Sequence, residues 1–221
     1  MRNFQEIWDL AAERHGKTKL KKRLPSMPSR RSFLRLKDDR FLAIFTKQIF
    51  RTGFVWRVIE NKWPGFEDAF HGFDVERLAK LKKRDIDRLA KDERIVRHRA
   101  KIEAVRDNAN FVWDMSKEHG SFARFVADWP DAEYYDLLLA LKKDGSRLGG
   151  QTGAYALREI GRDGFIITKD VVKRLKLEKV VQKEPTSQRD RKAVQEAFNA
   201  WQDESEQGLA TISRVLALSV D

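Results

Sequence analysis

Gly149 and Gly150 stand between two apolar stretches, Leu137-Leu138-Leu139-Ala140-Leu141 and Ala154-Tyr155-Ala156-Leu157, with Lys142, Lys143 and Arg147 on the approach and Gln151, Thr152 and Gly153 on the exit. Adjacent glycines let a backbone turn through positive φ and come close to a ligand. A helix beginning at Gln151 or Thr152 leaves its first amides unpaired, and those donors, with the helix dipole, favour an anion. The three cations would flank a phosphate there, holding a nucleic-acid backbone without reading its sequence. Taken alone, the stretch reads equally well as an ordinary helix-helix turn with a glycine C-cap. A second cluster is aromatic: Phe45, Phe50, Phe54 and Trp56 crowd one short segment, more ring surface than phosphate binding requires.

Other chemistries are excluded by what is missing. The chain has no cysteine, which removes disulfides, thiolate zinc sites, iron-sulfur clusters and a thiol nucleophile. Its four histidines, His15, His71, His98 and His119, are scattered, so no metal and no cofactor are expected. The formal charge of +11 attracts polyanions, and nucleic acid is the commonest of these inside a cell. No apolar run is long enough to span a membrane and the first residues lack the features of a secretory signal, so a cytoplasmic, nucleoid-associated protein is expected.

Helical periodicity supplies the elements that would carry these groups. Phe4, Ile7, Trp8, Leu10 and Ala11 recur at helical spacing behind Asn3, a capping residue. Residues 17–31, basic and holding Pro25 and Pro28, read as an exposed connection. Asp38 and Asp39 open a helix that is apolar nearly all round and so deeply packed. The segment with Phe54 and Trp56 ends at Trp63-Pro64-Gly65, and short helices follow. Asp92 opens a long basic amphipathic helix ended by Gly120, and Asp131 starts the helix that leads to the glycine hairpin. Phe165-Ile166-Ile167 is a weak strand candidate. Thr186 is placed to cap a helix over 189–203, before a closing helix over 209–218. The prediction is an all-α fold.

Four blocks in order give a more specific signal than the hairpin alone. They are Gly53-Phe54-Val55-Trp56, Phe66-Glu67-Asp68-Ala69-Phe70-His71-Gly72-Phe73-Asp74, Arg94-Ile95-Val96-Arg97-His98-Arg99-Ala100-Lys101-Ile102, and Leu141-Lys142-Lys143 ahead of the hairpin. Across residues 41–174 the chain thereby resembles the DNA-3-methyladenine glycosylase I family of helix-hairpin-helix proteins. The resemblance implies helices in two lobes around a base-binding cleft and double-stranded DNA containing alkylated bases as partner. It also implies a monomer that flips the damaged base and hydrolyses its bond to deoxyribose without lyase chemistry. It divides the chain into an N-terminal helix and basic connection (1–36), a core (37–175, hairpin 145–153) and a C-terminal helical extension (176–221) packing on the core through Phe198, Trp201, Leu209 and Val215.

The same resemblance assigns residues. Trp56 aligns with the family's stacking tryptophan, with Phe45 and Phe54 beside it as base-binding rings, and a ring face favours a cationic base over a neutral one. Where the family has a glutamate that reaches the flipped base, this chain has Gln48, whose amide offers both a donor and an acceptor. The family's Cys/His zinc clip is not carried over, since the cysteines are missing and Asp170 stands at the place of the final histidine. Asp170 suits either stabilisation of a developing oxocarbenium ion or a helix start, and Thr168 suits a helix cap. A noncatalytic damaged-DNA-binding protein is the alternative that Gln48 keeps open, and a general basic nucleic-acid-binding protein is a third.

Overall fold

The computed structural model describes residues 1–221 and contains helices but no strand. In chain order these are α1 (Phe4–His15), α2 (Lys17–Lys22), α3 (Arg30–Phe33), α4 (Asp38–Arg51), α5 (Trp56–Ala69), α6 (Val75–Ala79), α7 (Lys83–Leu89), α8 (Arg99–His119), α9 (Phe122–Ala127), α10 (Tyr134–Asp144), α11 (Gln151–Ile160), α12 (Lys169–Leu177), α13 (Gln188–Ser205) and α14 (Leu209–Leu218). Two compact units result. The first joins residues 1–28, 129–137 and 161–221, and the second joins 29–128 and 138–160. The units are therefore interleaved along the chain, unlike the consecutive segments expected from the sequence, and α10 runs from one into the other.

The second unit is built on α4 and α8. α8 packs on α4, α6 and α9, while α11 lies along α4. At the centre Phe122 receives Phe41, Phe45 and Phe111 at centroid separations of 5.1, 5.6 and 5.4 Å. Asp38, in the first turn of α4, accepts the Phe122 amide at 2.9 Å and so ties α9 to α4. Two expectations change here. Asp92 does not open α8: its carboxylate accepts the Arg94 amide at 2.9 Å and closes a local turn, and the helix begins only at Arg99. Nor does Pro64 end its helix, for α5 continues through Pro64 and Gly65. Trp63 stacks on Phe66 and Phe73 at 5.4 and 5.5 Å, and this packing outweighs the hydrogen bond that proline forgoes.

The first unit gathers the two ends of the chain. Asn3 and Glu6 form a reciprocal capping box on α1. α1 packs on α14 and α13, and α14 also covers α12. Phe198, Trp201, Leu209 and Val215 are all fully buried. The Trp201 ring N–H donates to the Arg2 carbonyl at 3.0 Å. Residues 17–31 are more structured than an exposed connection: Leu20 anchors α2 and, across the unit boundary at 28/29, the buried Phe33 anchors α3. Phe165 and Ile166 are buried but form no strand. Ile166 instead donates to and accepts from the Ser213 hydroxyl of α14. Ser187, not Thr186, caps α13 by accepting from Asp190 at 3.1 Å.

Candidate functional site

The end of α4, the start of α5 and the end of α11 meet within the second unit. Gln48 and Arg51 close α4, Trp56 opens α5, and Glu159 is the penultimate residue of α11. Gln48 is nearly buried, and its amide Nε2 donates to Glu159 Oε2. Arg51 donates to the same Oε2 at 2.6 Å and, through Nε, to Glu60 at 3.1 Å. Lys47 completes the group, 2.9 Å from Glu60 and 3.9 Å from Glu159. Two cations thus face two carboxylates. Burial opposes the charge on Arg51, but its bonds to Glu60 and Glu159 outweigh it and raise the guanidinium pKa. Burial likewise pushes Glu60 up, yet the hydrogen bonds from Lys47 and Arg51 hold its carboxyl below the usual range.

Beside this network the surface is apolar where solvent would favour polar residues. Phe54, Val55, Trp56 and Val58 are 37%, 68%, 55% and 43% exposed, the composition of a contact surface rather than a core. The Arg51 guanidinium carbon lies 5.0 Å from the Trp56 ring centre. Phe54 rests on Lys101, whose Nζ is 4.5 Å from the ring centre and bonds the carbonyls of Phe50 and Thr52 at the end of α4. Burial, reinforced by the positive charge of Arg147, holds the Lys101 ammonium below its ordinary value. Phe45 does not join this surface. It is fully buried, edge-on to Phe122, so the base-binding role expected of it gives way to a core role.

The glycine hairpin connects α10 to α11. Asn108, wholly buried on α8, clasps it from beneath, donating to the Ser146 carbonyl at 3.0 Å and accepting the Ser146 amide at 2.8 Å. Arg147 and Gly150 both have positive φ, 61° each. Two of the amides expected to await an anion are already engaged: Thr152 donates to Gly149 at 3.3 Å and Gly153 to Leu148 at 3.2 Å. The amides of Gly149 and Gly150 have no acceptor within the protein. Lys142, Lys143, Arg147 and Gln151 are exposed around them.

Gln48, Phe54, Trp56 and the hairpin thus share one unit, and Asp170 belongs to the other. It lies on the exposed first turn of α12, where Thr168 is the cap, accepting from Val171 at 3.3 Å. Asp170 pairs with no cation. Among the four histidines and all the carboxylates, no three come together as metal ligands.

Residues 34–136 match the family model of methyladenine glycosylases. The chain is 32% identical to a DNA-3-methyladenine glycosylase of Haemophilus influenzae, over 49% of this chain and 69% of that protein. The chain belongs to the methyladenine glycosylase family. A second relative, DNA-3-methyladenine glycosylase 1 of Escherichia coli, is 33% identical over 34% of this chain and 41% of its own length. Solved structures bear on the fold of this family member. The 3-methyladenine DNA glycosylase I of Staphylococcus aureus superposes with a TM-score of 0.50 at 21% identity, over 69% of this chain and 91% of that one. The 8-oxoguanine DNA glycosylase of Methanocaldococcus jannaschii reaches 0.54 at 15% identity and spans 95% of this chain and 89% of its own. This second likeness extends over the C-terminal helices, which the family model does not cover.

Sequence reasoning missed Glu159, Glu60 and Lys47. Glu159 lies 111 residues from Gln48, a separation that no local pattern bridges. The available signal was the cationic pair Lys47 and Arg51, like charges four residues apart on a largely buried helix and so in need of acidic partners.

Proposed function

We propose that this protein is a monofunctional DNA glycosylase of base-excision repair, releasing alkylated purines such as 3-methyladenine from double-stranded DNA. Membership of the methyladenine glycosylase family carries the reading. The alternative of a noncatalytic damage-binding protein is not favoured, because the relatives are named as glycosylases. The exposed cations around Gly149 and Gly150 would hold the phosphate backbone, and the surface of Phe54 and Trp56 would receive the extruded base. No membrane is needed for this activity, and no helix is long and apolar enough to cross one.

The chemistry asks little of the protein. In the nucleotide, 3-methyladenine is cationic, so the C1′–N9 bond breaks with its electron pair passing to the base. The base leaves neutral. Water adds to C1′ and gives up a proton to solvent. A carboxylate near C1′ would stabilise the oxocarbenium ion, and Asp170 is retained as the candidate for that role. Chromatography of bases released from methylated duplex DNA is the test: wild-type protein should liberate 3-methyladenine and leave abasic sites uncleaved. Tight DNA binding with no release would overturn the assignment.

A further inference from the structure

Gln48 stands where the family resemblance calls for a glutamate, yet a carboxylate is present beside it. Glu159 reaches Gln48 from α11 and is ion-paired with Arg51. A carboxylate paired in this way offers only acceptors, so the amide must turn its NH2 group toward it. The orientation is therefore dictated by chemistry rather than chosen. Gln48 Oε1 is left on the other side, where it takes no hydrogen bond from the protein and is not among the buried unpartnered atoms. Solvent reaches it.

We propose that Glu159 is a positioning residue that locks the Gln48 amide with Oε1 outward, so that a neutral glutamine presents to the flipped base the acceptor a glutamate would present. The inference rests on the glycosylase reading above. An acceptor fixed in this place pairs with an exocyclic amino group, as on adenine, and opposes a carbonyl, as on guanine. The donor half of the Gln48 amide is spent on Glu159 and takes no part in recognition. The negative charge sits on Glu159 rather than at position 48, while the acceptor stays at position 48.

Exchange of the two side chains tests the lock. Glu159→Gln removes the acceptor-only partner and lets the Gln48 amide rotate, so release of 3-methyladenine should fall about tenfold, the scale of one hydrogen bond. Its preference over 3-methylguanine should fall by a similar factor. Gln48→Glu sets two carboxylates in contact beside Arg51 and Lys47; the cations favour both charges, but the repulsion between the carboxylates raises the pKa of one relative to the other. At low pH the shared proton preserves the arrangement, and activity should drop as pH rises through the raised value. The double variant Gln48→Glu with Glu159→Gln restores one carboxylate and one amide. It should return to within about threefold of wild type without the added pH dependence, since the same single hydrogen bond is remade. Circular dichroism establishes that each variant is folded, and the Gln48 side-chain amide resonances should shift in Glu159→Gln whether or not the protein is active. Wild-type protein that releases no base would overturn the function. Active wild-type protein with an unchanged Glu159→Gln preference, or a double variant no better than the singles, would overturn the lock alone.

Discussion

Lys101 illustrates how a residue that looks reactive is committed to structure. A buried lysine with a lowered pKa beside an aromatic surface has the attributes of a Schiff-base nucleophile. Its Nζ, however, donates to two carbonyls at the end of α4, Phe50 and Thr52, and sits against the Phe54 ring. It closes the C-terminus of the helix that carries Gln48. Lys101→Met should therefore lower stability by about 1–3 kcal/mol through the unpaired carbonyls, as read by chemical denaturation. Borohydride should trap no covalent complex between wild-type protein and abasic DNA. A trapped complex lost in Lys101→Met would reverse this reading.

At the scale of elements, the hairpin is held by α8 as much as by its own glycines. Asn108 makes both bonds to Ser146 and is fully buried, so Asn108→Ala leaves an amide and a carbonyl without partners. A loss of about 1–3 kcal/mol is expected. DNA affinity should weaken alike for all sequences, because phosphate contacts carry no sequence information; a sequence-selective loss in filter binding would argue against the hairpin as a backbone clamp. These elements also mark the limits of what the sequence makes legible. α1, α4 and the hairpin helices followed from apolar spacing and caps such as Asn3, since those signals are local. Pro64 and Asp92 misled for the same reason: stacking by Trp63 carries α5 past its proline, and a two-residue side-chain turn uses the aspartate that otherwise starts a helix. Trp56 and Gln48 entered as site candidates through the family pattern. Glu159 did not, because its contact with Gln48 exists only once α11 lies along α4.

At the scale of the whole chain, its two ends are fastened by a buried ion-pair cluster. Glu178, at the end of α12, accepts from the Arg2 amide and guanidinium, both at 2.8 Å, and from Arg174 at 3.1 Å, while Arg174 bonds the Ser219 hydroxyl and carbonyl. Burial alone would raise the Glu178 pKa, but the hydrogen bonds from Arg2 and Arg174 outweigh it and hold it below the usual glutamate range. A carboxyl depressed in the folded state stabilises fully above its unfolded value, about 4.3, and loses that contribution as pH falls through the folded value. Glu178→Gln should cost about 3–5 kcal/mol near neutrality by stranding Arg174. Its melting temperature should also vary less than that of wild type below pH 4; an unchanged acid limb would show that the clasp contributes nothing. The interleaving of the units has a consequence for synthesis. α1 leaves the ribosome long before α13 and α14, the helices that bury its Phe4 and Ile7 face, whereas residues 29–160 supply the whole second unit. The unit bearing Gln48 and the hairpin can mature on a nascent chain, while the buried face of α1 stays uncovered until α13 and α14 have emerged, a natural client for a chaperone at the tunnel exit.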